Sequence, residues 1–406
     1  MKCNKCKHEL PPEAAFCRHC GTSVEAIKEK AAKKKRLLIL LAAVAAGLIL
    51  AAVCVGAILS GRESARMSLS ISAANVAAGG DVATCGDKVY LISDETVYAT
   101  DPAFRSKKKL FSYDGIDCIC ADEKAIYFIS SQYESGSYVF QLHEYRFADK
   151  KTEKLADLDK KSSQLGVCGD YLYFVQDQKL MAYQLSAGQM SVAVDESIRA
   201  YSFAADGLYY VVAGKDHALM HMAAPGAEAK QAGSLPGNFF ANLDMFYLWG
   251  TKLYARYADY NEGFMFFCSG YEVDLASEDG EYVQMDGAKL LYPAKGGICY
   301  LIGVDPAVDS ELQAFIDYYY DYVARQTMEE YPLVYDSIYD SKLKEGVEAR
   351  LHLSAYGAGR MYFSADDDTS VKGIRSDSRY YNAAYLTSAG LLLRQCQTGT
   401  WEFLKP

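Results

Sequence analysis

The sequence predicts a mainly β protein built from three parts, and three observations support this prediction. Four cysteines at metal-ligand spacing lie in the first 20 residues of the 406-residue chain. An uncharged apolar segment covers residues 37–60, and a tyrosine-marked unit then recurs at intervals near 40 residues. Such a period, with several short strands per unit, is typical of a β-propeller. We therefore predict a metal-binding N-terminus, one transmembrane helix and a β-propeller-like repeat domain of about 6–8 blades outside the membrane.

Composition and charge argue against two classes of protein, disordered chains and nucleic-acid-binding proteins. Half of the residues are hydrophobic and 23% are charged, which excludes a wholly disordered chain. The formal net charge is −10, of which residues 1–36 contribute +6 and residues 61–406 contribute −16. An acidic chain of this kind is not expected to bind nucleic acid.

The N-terminal cysteines Cys3, Cys6, Cys17 and Cys20 follow the pattern C-x2-C-x10-C-x2-C. Two residues between thiolates let one tight turn present both sulfurs to a metal, and two such knuckles complete a tetrahedral shell that suits Zn²⁺. The alternative is two disulfides or free thiols. Because four cysteines fill the shell, we expect the nearby His8 and His19 to be exposed.

The residues around these cysteines resemble a known family of small modules. Cys3-Asn4-Lys5-Cys6, Leu10-Pro11 and Phe16-Cys17-Arg18-His19-Cys20-Gly21 resemble the zinc ribbons at the N-termini of many bacterial membrane proteins. The resemblance implies a structural Zn²⁺ within residues 1–24. Lys7 follows the first knuckle, where such ribbons usually have Gly, whereas Gly21 keeps the expected place in the second. The first turn is therefore predicted to be strained.

Residues Leu37 to Leu59 form an unbroken apolar run of 23 residues. As a helix they would span about 35 Å, enough to cross a membrane, and a removed signal peptide would be shorter. The basic linker 25–36 precedes the run, so the positive-inside rule predicts a single-pass protein of the cell membrane with a cytoplasmic N-terminus and residues 61–406 outside. The linker's basic residues would contact anionic lipid.

Residues 61–82 are small and polar and are predicted to be a stalk, and repeats follow over residues 83–304. A Gly or Asp opens a short strand that carries a Tyr, and the first six tyrosines are 37, 46, 36, 45 and 38 residues apart. The copies are Gly86–Tyr90, Asp122–Tyr127, Gly169–Tyr173 and Asp206–Tyr210, with weaker ones at Gly250–Tyr254 and Gly287–Tyr292 and a further candidate at Gly359–Phe363.

This pattern resembles the propeller-like repeat domains that lie outside the membrane in bacterial zinc-ribbon proteins. Cys85, Cys120 and Cys168 each stand two residues before the Asp of a copy, and Ala204 takes the same place before Asp206. A position shared by Cys and Ala asks for a small buried side chain. We therefore expect mostly reduced, structural cysteines, with an occasional disulfide as the alternative.

Residues 305–406 have a different sequence pattern from the repeats that precede them. A capping box, Ser310-x-x-Gln313, opens an amphipathic helix, and strand patterns return at residues 349–353, 361–365, 390–393 and 401–404. Either these strands complete the propeller or the segment forms a small α+β domain. We favour completion of the propeller.

The sequence contains no recognisable catalytic motif, and no catalytic or cofactor-binding residue is assigned beyond the zinc ligands. The triplet Asp366-Asp367-Asp368 lacks the alternating oxygen ligands and Gly turn of a calcium loop. His217 and His221 are four residues apart but lie in a predicted hairpin, which disfavours a metal site.

We predict a non-enzymatic membrane protein whose zinc ribbon docks a protein partner and whose propeller binds an envelope ligand or protein. The alternative is a propeller-type hydrolase of cell-envelope polysaccharide, which would need a convergent Asp/Glu pair.

Overall fold

The computed structural model contains two compact units, Met1–Ala65 and Arg66–Pro406. It describes residues 2–3, 5–11, 13–23, 65–213, 218–234, 243–259, 267–275, 282–286, 288–294, 297–303, 359–365, 372–373, 381–395 and 398–405. The basic linker, the apolar segment 37–60 and the helix predicted after Ser310 lie outside these residues.

The larger unit is a six-bladed β-propeller with one short helix, α1 (65–77), among its described residues. The first sheet contains β1 (Val82–Cys85), β2 (Lys88–Ser93), β3 (Thr96–Thr100) and β4 (Lys107–Ser112). The second contains β5 (Ile116–Ala121), β6 (Ala125–Glu134), β7 (Ser137–Arg146) and β8 (Thr152–Leu158). The third contains β9 (Ser162–Cys168), β10 (Tyr171–Gln176), β11 (Lys179–Gln184) and β12 (Gln189–Val194). The fourth contains β13 (Ile198–Ala204), β14 (Gly207–Val212), β15 (Ala218–Met222) and β16 (Lys230–Ser234). The fifth contains β17 (Leu243–Trp249), β18 (Lys252–Asp259), β19 (Phe267–Asp274) and β20 (Tyr282–Asp286). The sixth contains β21 (Ala288–Ala294), β22 (Gly297–Gly303), β23 (Gly359–Ala365), β24 (Lys372–Gly373), β25 (Tyr381–Leu386), β26 (Leu391–Gln395) and β27 (Trp401–Leu404).

Each of the first five sheets is an antiparallel meander in chain order. Tight turns set the registers: Asp94 and Glu95 between β2 and β3 have φ of 49° and 55°, and Asp177 and Gln178 between β10 and β11 have φ of 54° and 62°. Two successive residues with positive φ make a turn whose twist matches that of the strands. The first strands of neighbouring sheets lie side by side, with β1 against β5, β5 against β9, and β13 against β17.

The tyrosine marks hold one position in the blades. Tyr90, Tyr127, Tyr173 and Tyr254 all lie in the second strand of a sheet and are no more than 4% exposed. Tyr209, the fourth mark, also lies in the second strand of its sheet, β14, but is half-buried. Buried tyrosines at one place in successive blades fill the space between sheets, so the repeat prediction is confirmed for these five copies.

The two remaining copies also carry their Tyr in a strand, but not in the second strand of a sheet. Tyr292 lies in β21, the first strand of its sheet, and Tyr362 lies in β23, the third. The second strand, β22, carries Tyr300 instead. Neighbouring strands of a half-buried hairpin share the same alternation of apolar residues, so the pattern alone does not identify the strand.

Helix α1 packs into the core of the propeller, although its residues were predicted to lie in a stalk. Ile71, Ala73, Ala74 and Val76 belong to a buried cluster that also contains residues of the third to sixth sheets. Small side chains let a helix approach the surrounding strands closely. After the helix, Gly80 has a φ of +78°, and a Cβ there would lie 3.0 Å from the Cβ of Cys118.

Contacts between the two ends of this unit close the ring. The carboxamide of Asn75 in α1 accepts a hydrogen bond from the Leu386 amide at 2.8 Å and donates one to its carbonyl at 2.9 Å. The Arg394 guanidinium lies 3.2 Å from the Asp81 carboxylate. Burial raises the pKa of Asp81, and the charge of Arg394 opposes this shift.

The transmembrane part of the predicted fold class requires correction. Among the described residues, no helix combines the length and the apolar character that crossing a membrane requires. The run 37–60 lies outside those residues, and α1, with 13 residues, is too short and has an exposed N-terminal turn. In the part of the chain that the structure describes, the fold is a mainly β propeller with one short helix, together with a cysteine-rich N-terminal unit.

Candidate metal centre and propeller cavity

The four N-terminal cysteines meet at one point. All four sulfurs lie within 4.8 Å of one another, and the pairs Cys3–Cys20 and Cys6–Cys17 are each 3.5 Å apart. A tetrahedral Zn²⁺ with bonds of about 2.3 Å would separate its sulfurs by about 3.8 Å. The residues therefore fit a zinc ion held by four thiolates, and the set leaves no open position for a substrate.

Hydrogen bonds to the sulfurs of Cys3 and Cys20 favour the thiolate form that metal binding needs. The Thr22 hydroxyl lies 3.2 Å from the Cys20 sulfur. That hydroxyl and the Thr22 amide lower the pKa of the Cys20 thiol to about 6. The amide of Cys6, together with that of Lys5, lowers the pKa of Cys3.

The two knuckles share the same backbone geometry. The Lys7 amide donates to the Cys3 carbonyl and the Gly21 amide to the Cys17 carbonyl, both at 2.8 Å. Lys7 has a φ of 64° and Gly21 a φ of 69°. Only glycine adopts this conformation without cost, so the predicted strain at Lys7 is confirmed.

Both N-terminal histidines are exposed, as expected. The rings of His8 and His19 stack on each other with centroids 4.8 Å apart. Neither belongs to the metal-ligating group, which consists of the four cysteines.

The larger unit contains a cavity of about 590 Å³ where the N-terminal turns of α1 meet the fourth and fifth sheets. Three kinds of groups line it: charged side chains, hydroxyls and small or aliphatic side chains. The lining residues are Arg66, Leu69, Ser70, Ala204, Ala205, Asp206, Tyr209, Ala232, Leu248, Gly250, Thr251 and Leu275. A few polar groups in a mostly apolar concavity are typical of a ligand site.

One polar cluster lies at the wall of this cavity. The Tyr209 hydroxyl donates to Oδ2 of Asp206 at 2.9 Å, and the His221 ring lies 4.6 Å from the Tyr209 ring. Nε2 of His221 is 3.1 Å from the Asp206 carbonyl oxygen. Burial, together with the Asp206 carboxylate, raises the pKa of Tyr209 to about 12, so its hydroxyl stays a hydrogen-bond donor.

The lining residues that the structure describes do not include the carboxylate pair that a glycoside hydrolase would need. Asp206 is the only carboxylate among the described lining residues, and Tyr209 already hydrogen-bonds to it. The structure thus places His221 beside the cavity as part of a hydrogen-bonded cluster. His217 and the triplet Asp366–Asp368 lie outside the described residues.

Four propeller cysteines whose side chains the structure describes are free thiols, namely Cys85, Cys118, Cys120 and Cys168. Cys120 is buried, while Cys85 and Cys168 are half-buried at the ends of β1 and β9. Burial raises the pKa of Cys118 to about 12, so this thiol stays protonated at neutral pH. The prediction of reduced, structural cysteines is confirmed for these four.

The sequence reasoning missed the cavity because its lining comes from segments that are far apart in the chain. Arg66 was assigned to a stalk, and Thr251 to a weak repeat copy. One signal was available: Asp206 stands at the position that the repeat shares with Asp122 and Asp170. These side chains hold turns in place, and Asp122, for example, accepts hydrogen bonds from the amides of Lys124 and Ala125.

No protein-family model matches the chain, and no curated protein matches its sequence. Among solved structures, it is similar to the tricorn protease, with 12% identity and a TM-score of 0.46 over 81% of this chain and 33% of that one. It is also similar to the N-terminal domain of Nup159 (9% identity, TM-score 0.42, 79% of this chain and 87% of that one). An oligogalacturonate lyase in complex with manganese has 10% identity and a TM-score of 0.39 over 53% of this chain and 70% of that one. This chain thus spans about a third of the tricorn protease chain, and similarities this weak carry no argument about activity or partners.

Proposed function

We propose that this protein is a non-enzymatic binding protein: a zinc-stabilised N-terminal module docks a protein partner, and a rigid propeller binds a ligand or protein segment in the cavity beside α1. The expected location of the propeller outside a membrane depended on a transmembrane helix and is not part of the proposal.

The composition of the cavity is the observation that supports binding over hydrolysis. Its one described carboxylate is engaged by a tyrosine hydroxyl, and the other polar groups are a guanidinium and two hydroxyls, on Arg66, Ser70 and Thr251. Such groups orient a bound molecule without supplying the acid and base that glycosidic bond cleavage requires.

A blocking substitution tests the role of the cavity. Ala205 lies in the exposed turn between β13 and β14, so Ala205→Trp would fill the mouth of the cavity without entering the core. Ala187→Trp, on an exposed turn away from the cavity, is the matched control. We would screen the full-length zinc-loaded protein against panels of tripeptides and oligosaccharides by thermal unfolding.

A ligand of the cavity should raise the unfolding midpoint of the wild type and of Ala187→Trp but not of Ala205→Trp, because binding to the native state alone stabilises it. Equal shifts in all three proteins would contradict the assignment of the cavity. Release of cleavage products from an oligosaccharide, lost in Asp206→Asn, would instead favour the hydrolase alternative.

The metal module is tested separately. The purified protein should contain one zinc per chain, and Cys17→Ser should lose it, because Cys17 is 1% exposed and its sulfur is 3.5 Å from that of Cys6. Partner capture by the N-terminal module should then depend on zinc. Retention of a full equivalent of zinc by Cys17→Ser would contradict the four-thiolate site.

A further inference from the structure

The hairpin of β6 and β7 reaches farther than its counterparts. Both strands have ten residues, whereas the other described strands have two to eight. Their last pair is Glu134 with Ser137, and the turn between them consists of Ser135 and Gly136 with φ of 49° and 94°. The inner half of the hairpin is buried and the outer half is exposed.

The end of this hairpin carries an exposed aromatic row. Tyr133 and Tyr138 are 68% and 64% exposed, the highest values among the large hydrophobic residues that the structure describes. They face each other across the two strands with ring centroids 5.2 Å apart. Tyr138 also stacks on Phe140, with centroids 6.1 Å apart. Exposed tyrosines on rigid strands offer contact area at low conformational cost.

Three carboxylates lie on β6 or on the neighbouring segment that contacts it. Glu134 follows Tyr133 and is exposed, and Asp117 accepts a hydrogen bond from the Ser131 hydroxyl at 2.6 Å. The Gln132 carboxamide donates to the carbonyl of Asp114, whose side chain is exposed on the neighbouring turn. None of the ion pairs among the described residues neutralises these three carboxylates.

We propose that the tip of the β6–β7 hairpin binds an extended peptide segment rich in Arg or Lys on a partner protein. Cationic side chains are attracted to the faces of tyrosine rings and to carboxylates, and this end of the second sheet presents both. The acidic balance of residues 61–406 adds a long-range attraction for such a segment. The inference rests on the proposed function only in that the propeller binds protein, and it assigns a surface separate from the cavity.

A cross-strand tyrosine pair also stabilises a hairpin by itself, so the test must separate binding from folding. The full-length zinc-loaded protein would be titrated against fluorescein-labelled Gly-Arg repeat peptides, with Gly-Glu and Gly-Ser repeats of equal length and maltohexaose as comparison probes. Fluorescence anisotropy reports peptide binding, and thermal unfolding reports the fold of each variant.

The double variant Tyr133→Ser/Tyr138→Ser should weaken binding of the Gly-Arg peptide about tenfold, and Glu134→Gln about threefold. The matched control is Met190→Ser/Val192→Ser, which removes exposed apolar side chains from β12 that are 38% and 47% exposed in the wild type. This control should change the affinity less than about twofold. Added salt should weaken binding to the wild type, because exposed charges are screened.

Four results would overturn the inference. In the first, no form of the protein binds the Gly-Arg peptide. In the second, the tyrosine variant binds this peptide as tightly as the wild type does, while its unfolding midpoint is unchanged. In the third, the Gly-Ser peptide or maltohexaose binds as tightly and with the same tyrosine dependence, which would identify an uncharged stacking surface. Loss of Gly-Arg binding in Ala205→Trp with no effect of the tyrosine variant would refute the hairpin site while leaving the cavity assignment intact.

Discussion

The hydrogen bonds of Asn75 provide a direct test of how the ring closes. Asn75 is 1% exposed, and its carboxamide satisfies both the amide and the carbonyl of Leu386, which lies 311 residues farther along the chain. Asn75→Ala leaves two buried backbone groups without partners, at a cost of about 1–3 kcal/mol each. The higher helix propensity of Ala returns about 0.6 kcal/mol. The variant should therefore lower the free energy of unfolding by about 3 kcal/mol.

Urea unfolding followed by tryptophan fluorescence measures this loss. The chain has two tryptophans, Trp249 in β17 and Trp401 in β27, so the signal reports the propeller alone. Met67→Ala is the control, because Met67 lies on the same helix and is 46% exposed. We expect that control to change the free energy of unfolding by no more than about 0.5 kcal/mol. If Asn75→Ala unfolds within that same margin of the wild type, the proposed role of α1 in ring closure is refuted.

Three further substitutions follow from local geometry. Lys7→Gly should remove the cost of the positive φ in the first knuckle and so tighten zinc binding about threefold, measured by competition with a chromophoric chelator. An unchanged zinc affinity would contradict the inference that Lys7 is strained. Gly115→Ala should destabilise the propeller by more than about 2 kcal/mol, because its φ is +68° and the new Cβ would lie 2.1 Å from the Ser131 carbonyl oxygen; urea midpoints check this. Burial, reinforced by the charge of Lys154, lowers the pKa of His143 to about 4 from 6.5. Between these two pH values the unfolded chain binds a proton that the native state does not. About 3 kcal/mol of the free energy of unfolding that is present above pH 6.5 should therefore be lost as the pH falls to about 4. Urea titrations across that range measure this loss, and His143→Gln should abolish it.

The parts of the structure that sequence reasoning predicted correctly are those encoded locally. The knuckles need only two residues between thiolates, and the side chains that fix each blade lie within one sheet. The shared Asp is an example: Asp170, between β9 and β10, accepts a hydrogen bond from the Ser186 amide at 3.0 Å and so holds the turn between β11 and β12 of the same sheet. A signal of this kind recurs with the repeat and can be read without knowing the fold.

The parts that were missed depend on contacts between distant segments. The residues of α1 are mostly small, as a stalk would be, and a sequence of Ser and Ala carries no strong helical periodicity. The same small side chains, Ala73 and Ala74, are 2% and 1% exposed because the helix lies against strands from several sheets. What distinguishes this helix from a stalk is Asn75, whose partner is far away in the sequence. The cavity depends on the same distant packing.

The position of α1 links ring closure to the cavity. Among the described residues, the strands β25–β27 join the rest of the sixth sheet through one residue pair, Gly359 with Tyr381, and they also pack against the first sheet. Their position therefore depends on α1 and the first sheet. The C-terminal half of α1 holds Leu386, while Arg66 and Ser70 in its N-terminal half line the cavity. A rigid helix cannot shift at one end alone, so Asn75→Ala should weaken a cavity ligand as well as the fold. The midpoint shift that such a ligand induces should be smaller in Asn75→Ala than in Met67→Ala at equal ligand concentration. Equal shifts would show that the cavity forms independently of ring closure.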